Sequence, residues 1–209
     1  MKKLLVAILI MALTLCSCGT EKQEGDALER YLEIIDGLES GIVNVTSSAS
    51  SNKATVRFRE TENGCEVLSV TQNGKESYTN YFDGLHLYSG SDELVINESG
   101  VLDGVTAKRS FIGAPDYAID PDWYVAEKSG IYKTLTGYKI VVVTNEDDEL
   151  KDTPDTTLTL YLNSEMVPTK AVIEDEIFTE DGKTKVYKTT LKYQNIGGDP
   201  IFQTPVVKR

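Results

Sequence analysis

Apolar positions along this chain fall into three successive patterns: a run at residues 4–15 broken only by Thr14, a spacing of three and four, and long stretches of alternation. The middle pattern comprises Leu28, Tyr31, Leu32, Ile34, Ile35 and Leu38. These positions form one stripe when residues 26–38 wind as an α-helix, with Asp26 capping its start and Gly37 or Gly41 marking its end. Beyond the helix the period becomes two. Asn63-Gly64, Asn73-Gly74 and Asp83-Gly84 recur at intervals of ten residues. Each is a two-residue hairpin signal, because the favoured turn needs positive φ at both central positions, and together they predict four consecutive antiparallel strands.

With two-residue loops, Glu62 pairs with Cys65, Gln72 with Lys75 and Phe82 with Leu85. The pleat then gathers Ala54, Val56, Phe58, Cys65, Val67, Tyr78, Phe82, Leu85 and Leu87 on one face, together with the polar Glu60, Glu62, Glu76 and Asn80. The opposite face carries Arg57, Arg59, Leu68, Val70, Tyr81, His86 and Tyr88, and is only half suited to water. Residues 138–144, 156–162, 168–178 and 183–193 predict further strands, the last two forming a hairpin around Glu180-Asp181-Gly182. Alternation fails over residues 98–137, which nonetheless hold Phe111, Ile112, Pro115, Tyr117, Pro121, Trp123, Tyr124 and Ile131. An apolar but aperiodic insert of this length is the natural candidate for a lid or plug against the sheet.

The first run has a different meaning. Lys2-Lys3 precede it and Leu15-Cys16-Ser17-Cys18-Gly19 closes it, the layout of a bacterial secretion signal ending in a lipidation site. An apolar stretch of twelve positions is too short to span a bilayer comfortably. The processing peptidase needs a large apolar residue three places before the cysteine and a small one just before it; Leu15 and Ser17 meet both demands for Cys18. The expected organisation is a signal at 1–17, a lipidated cysteine with a short polar tether at 18–25, and one domain at 26–209. The mature chain then carries 19 basic against 33 acidic residues, a formal charge of −14. Nucleic acid and bare anionic headgroups are poor partners for that charge, so attachment falls to the acyl chains, several of which are needed for durable anchoring. Past Cys18 only Cys65 remains, which precludes a disulfide within the domain.

Several residues together carry a family resemblance: the helix, the strand-turn-strand Tyr81-Phe82-Asp83-Gly84-Leu85-His86-Leu87-Tyr88, and the closing series Thr157-Leu158-Thr159-Leu160-Tyr161-Leu162, Val167-Pro168-Thr169-Lys170, Thr179-Glu180-Asp181-Gly182-Lys183-Thr184, Tyr193, Pro200-Ile201-Phe202 and Pro205. Over most of its mature length the chain resembles the LolA/LolB-like lipoprotein-localisation superfamily. The resemblance implies a mainly β, α+β fold: a strongly curved antiparallel sheet forming an incomplete barrel, with an N-terminal helix and a loop or helical insert over its concave face. It further implies a lipid or other hydrophobe bound there. A chain anchored through Cys18 cannot shuttle between membranes, so its likeness is to the anchored relatives. Under this reading Val56, Phe58, Val67, Tyr78, Phe82, Leu85, Leu87, Phe111 and Trp123 line the ligand site. Packed solid, the same apolar face would be core, since lining and core obey one burial rule.

Chemistry-bearing constellations are sparse. His86 is the only histidine and lacks a nucleophile or carboxylate among its expected cross-strand neighbours, so neither a triad nor a histidine metal site is built from it. Cys65 falls on the apolar face, away from His86, as an inert buried thiol does. Glu146-Asp147-Asp148-Glu149 with Asp152 and Asp155 lacks the glycine-centred ligand alternation of a calcium loop and reads as a solvated acidic linker. Arg57 and Arg59 suit either neighbouring glutamates or an anionic partner. The expectation is a non-enzymatic lipoprotein, needing no cofactor or metal, held extracytoplasmically on a bacterial membrane and binding a hydrophobe. The rival expectation is a sensor or accessory module that binds an envelope protein instead.

Overall fold

The computed structural model describes residues 21–62, 64–97, 104–115, 118–146, 154–179, 182–201 and 204–208. The signal segment and Cys18, Asn63, Tyr117, residues 147–153, Glu180-Asp181 and Phe202 lie outside the described residues. Elements follow in the order β1 (Glu21–Gln23), α1 (Ala27–Asp36), β2 (Ser40–Ser47), β3 (Lys53–Thr61), β4 (Gly64–Asn73), β5 (Glu76–Phe82), β6 (Leu87–Gly90), β7 (Leu94–Ile96), α2 (Gly104–Ile112), β8 (Gly130–Thr134), β9 (Gly137–Thr144), β10 (Thr156–Asn163), β11 (Pro168–Phe178), β12 (Thr184–Gln194) and β13 (Val207–Lys208). All strands join one open sheet of 13 in the order β1-β8-β9-β10-β11-β12-β2-β3-β4-β5-β6-β7-β13, antiparallel except where β13 runs parallel to β7. The protein is mainly β.

The first helix forms as its spacing predicts. The Asp26 side chain accepts from the Glu29 backbone N–H at 2.8 Å, Gly37 ends the helix, and Ala27, Leu28, Tyr31 and Ile35 are its buried stripe. All three predicted hairpin registers are displaced. Thr61 pairs with Gly64, Asn73 with Glu76 and Phe82 with Leu87, each two residues from the two-residue-loop expectation. At the second turn Gly74, at φ +62°, takes the first central position instead of the second. At the third, the Asp83 carboxylate accepts from the backbone N–H groups of Leu85 and His86, opening a four-residue loop. Because each displacement is even, every side chain keeps its predicted face.

Other expectations need larger correction. The 98–137 insert is not irregular throughout: it contains α2, 3₁₀ turns at Pro121–Trp123 and Ala126–Lys128, and strand β8. Residues 21–23, expected within a flexible tether, pair with Ile131–Lys133 as the edge strand of the sheet. Strand β2, unanticipated, is the seam that joins the two halves of the chain by pairing with β12 and β3.

The sheet must curve to make its core. Helix α1 packs on β9, α2 on β4, and the helices pack on each other. In a flat sheet the six strand steps from β9 to β4 would span about 29 Å, roughly three times the separation of two packed helices. Against the helices lie fully buried Val43, Phe58, Val67, Phe82, Ile140, Val142, Leu158 and Leu160, with Ala171, Leu191 and Tyr193 alongside. Polar ties fix this layer. Arg109 bonds both carboxylate oxygens of Asp36, buried Lys108 reaches the Asp36 carbonyl and Glu60, and the Tyr193 hydroxyl donates to the Ile112 carbonyl at 2.7 Å.

Candidate functional site

Side-chain chemistry changes along the concave face in rows. Across β9, β10, β11 and β12 the row Ile140, Leu160, Ala171, Leu191 lies under the helices, followed by Val142, Leu158, Ile173, Thr189 and then Thr144, Thr156, Asp175, Tyr187. The surface therefore passes from aliphatic through hydroxylic to acidic. Where the helices stop, this face continues into a pocket of about 610 Å³ lined by Ser47, Ala49, Thr144, Thr156, Asp175, Glu176, Ile177, Tyr187 and Thr189, with Trp123, Glu146 and Pro154 around it. That volume lies within the usual range for small-molecule sites.

Backbone hydrogen bonds fix the segment that carries Trp123 to the pocket. The Trp123 carbonyl accepts from the Asn145 N–H at 2.8 Å, and Val125 N–H donates to the Val143 carbonyl at 2.9 Å, which stitches the end of the insert to β9. Ser129, buried beneath, relays this stitch: its hydroxyl donates to the Val125 carbonyl and accepts from the Val143 N–H. Nearby, burial pushes the Asp155 carboxyl upward, but hydrogen bonds from Lys128 and Asn145 outweigh it and hold the group below the usual carboxylate range. Among the described residues the pocket lining carries three carboxylates, Glu146, Asp175 and Glu176, and no lysine, arginine or histidine. The Thr156 hydroxyl meets Asp175 at 3.2 Å. Such a rim repels a carboxylate or phosphate headgroup and suits a neutral or cationic one.

The expected lining residues are distributed otherwise. Val56, Phe58, Val67 and Phe82 are buried in the packed core, and Leu87 and Phe111 pack partly buried against it. Tyr78 is on the concave face but 46 % exposed, beyond the helices, and Leu85 is 62 % exposed in the Asp83 loop. Trp123 alone of the nine reaches the pocket. The actual lining is rich in threonine and acidic residues at the upper ends of β9–β12. A search for apolar alternation passes over them, although the alternation of residues 156–162 does place Thr156 on the same face as Leu158.

Elsewhere, the Cys65 thiol is buried in the core, and burial pushes it up to about 12, with the nearby Lys108 ammonium opposing only in part. It is a thiol, not a thiolate, at neutral pH. His86 Nδ1 lies 3.8 Å from Asp83 and its ring meets Tyr88 edge-on. Arg59 pairs with buried Glu66 at 2.6 Å, the cross-strand role. Glu146 is the one described member of the 146–149 acidic run. No protein-family profile matches the chain, and no curated protein aligns with it significantly.

Proposed function

We propose that this chain is an extracytoplasmic lipoprotein, acylated on Cys18, whose curved sheet acts as a half-barrel that holds the tail of a hydrophobic or amphiphilic ligand. The observation that carries this reading is the continuity of one sheet face from the sealed core into the 610 Å³ pocket. An apolar tail held in the pocket packs against Ala49, Trp123 and Ile177, above the sealed Val142–Leu158–Ile173 row, and each methylene removed from water there contributes about 0.8 kcal/mol. The acidic rim selects a neutral or cationic head. Among the described residues of the site no nucleophile, base and oxyanion donors come together, and the reading we put forward is binding.

The test uses the full lipidated chain. Trp123 is the only tryptophan, so its emission reports directly on pocket occupancy. A neutral fluorescent hydrophobe such as N-phenyl-1-naphthylamine is expected to bind saturably, quench Trp123 and be released by lipids extracted from the producing cells. An anionic probe of equal size is expected to bind more weakly. Ile177→Asp should abolish uptake while leaving the fold intact. No saturable Trp123 quenching by any probe, and no lipid in extracts of the purified protein, would overturn the reading. A second reading draws on Ile177, Phe178 and Val186, which are 38 %, 51 % and 50 % exposed on the β11–β12 hairpin. It makes that hairpin the contact for an envelope protein, and it predicts cross-linking at Phe178 without lipid uptake.

A further inference from the structure

The convex side of the sheet carries an arrangement that the overall acidity of the chain conceals. Taken straight across neighbouring strands, one row reads Lys22 on β1, Tyr132 on β8, Lys139 on β9, Tyr161 on β10, Lys170 on β11 and Lys192 on β12. Lysine and tyrosine alternate over the first five positions. The Lys139 ammonium sits 4.9 Å from the centre of the Tyr132 ring and Lys170 5.2 Å from that of Tyr161, so the rings keep the cations in file. The row continues through Asn44, Thr55 and Val70 without a carboxylate. Among the described residues, none of these four lysines has a carboxylate within ion-pair distance, whereas Arg30, Arg59, Lys108, Arg109, Lys128, Lys188 and Lys208 all do.

We infer that this lysine–tyrosine row docks on the anionic headgroup surface of the membrane in which the chain is anchored. The inference rests on the acylation of Cys18. Lys22 is four residues after Cys18, so the row begins within about 14 Å of the anchor even with that segment fully extended. From β1 to β12 it spans five strand steps, about 24 Å, a footprint matched to a headgroup surface rather than to a single ion. Lysines with flexible apolar stems and tyrosines with a greasy ring and a polar tip are the side chains that settle at a bilayer interface. A lipid anchor combined with a basic patch is the two-signal attachment that gives stable and oriented binding. Docked by its convex side, the domain turns its concave side and the pocket away from its own membrane. A ligand then exchanges with the periplasmic or extracellular side rather than with the bilayer beneath.

Orientation on vesicles tests this. The full lipidated chain is reconstituted into phosphatidylcholine vesicles with and without phosphatidylglycerol, and single cysteines at Thr159 (convex, beside the row) and Ser48 (far end of the sheet) carry an environment-sensitive fluorophore. Cys65 is buried and does not compete for label. Headgroup-nitroxide lipid should quench the Thr159 probe far more than the Ser48 probe, only with phosphatidylglycerol present, and less as salt rises. Replacing Lys139 and Lys170 by glutamine should weaken this docking about tenfold or more. Equal quenching at both sites, or indifference to phosphatidylglycerol and salt, overturns the inference. Retention on an acidic polysaccharide or acidic protein without lipid-dependent quenching overturns it in favour of that other partner. Failure of the anchor is read separately, as an unacylated Cys18 peptide in the mass spectrum.

Discussion

Two stretches of the convex face use the same side-chain types to opposite ends. Over β3–β7 the cation and the tyrosines are satisfied within the chain. Arg59 pairs with Glu66, which also accepts from the Tyr81 hydroxyl and from Thr204, and Tyr81 stacks on Tyr88 with ring centres 6.0 Å apart. Leu94 and Val207 complete a small second core there, and β13 lies along β7 as a cover. Burial and the Glu66 carboxylate together push the Tyr81 hydroxyl well above its ordinary value. Over β1 and β8–β12 the lysines and tyrosines of the row have no such cover and, among the described residues, no carboxylate partner. What separates the two is one buried glutamate and one returning strand. The first stretch has become structure, and the second is left available to something outside the chain.

The largest effect expected from this contrast comes from Glu66→Ala. Glu66 is only 7 % exposed, and its loss leaves the Tyr81 hydroxyl and the Arg59 guanidinium without their shared acceptor. Removing one partner from such a network costs about 2–4 kcal/mol, read as a fall in unfolding free energy by chemical denaturation. A change inside about 0.5 kcal/mol, the range of an ordinary surface substitution, would mean that this stretch is no better satisfied than the open one. Val207→Asp acts next. It sets a carboxylate against Tyr81, Tyr88 and Leu94 and should cost about 1–2 kcal/mol, with amide exchange at Leu94 and Val95 accelerating before exchange in β9 or β10 does.

Much of this architecture is legible in the sequence, and the reasons for the rest are physical. Alternation places side chains on faces by parity, so register errors of two residues at all three early turns left Val56, Phe58, Val67 and Phe82 on the concave face where they are found. The pattern does not state what covers a face. The helix α2, with the small Ala107 beside buried Lys108 and Ile112, fills the space that an irregular lid was expected to gate, and so turns expected lining into core. The lysine–tyrosine row was equally out of reach. Its members come from positions 22 to 192: the pairings of β8 through β12 set five of them side by side, and the pairing of β1 with β8, between segments with no shared local pattern, adds Lys22 nearest the anchor. Net charge averages over the whole surface and hides such segregation.

Acidity sharpens the comparison at the loop that borders the covered stretch. Burial alone would raise the Asp83 carboxyl, but the backbone N–H groups of His86 and Leu85 and the Tyr88 hydroxyl together hold it below the usual carboxylate range. A carboxyl lowered on folding contributes stability that is complete above its unfolded value, about pH 4, and that is lost as pH falls through the lower folded value. Asp83→Asn should therefore flatten the acid side of the stability profile and leave its shape above about pH 5 unchanged. An unaltered acid limb would show that the loop, and with it the Tyr88 end of the small core, does not depend on that charge.

The smallest effect is the one that decides whether the open stretch is structure in disguise. Lys170→Gln removes a cation that stacks on Tyr161 and has no carboxylate partner among the described residues. The lost cation–π contact is worth about 0.5 kcal/mol at an exposed site. Against it stands relief of repulsion: Lys139 is two strands away, about 10 Å, close to one Debye length at 0.1 M salt, and Lys192 is one strand away, about 5 Å. The two terms oppose each other at similar size, so unfolding free energy should move by no more than about 0.5 kcal/mol in either direction. Added salt should move the difference in favour of the parent chain, because it screens the repulsion present only there. A loss comparable to that of Glu66→Ala would make the row an internal support like its counterpart, and the difference between the two halves of the convex face would disappear.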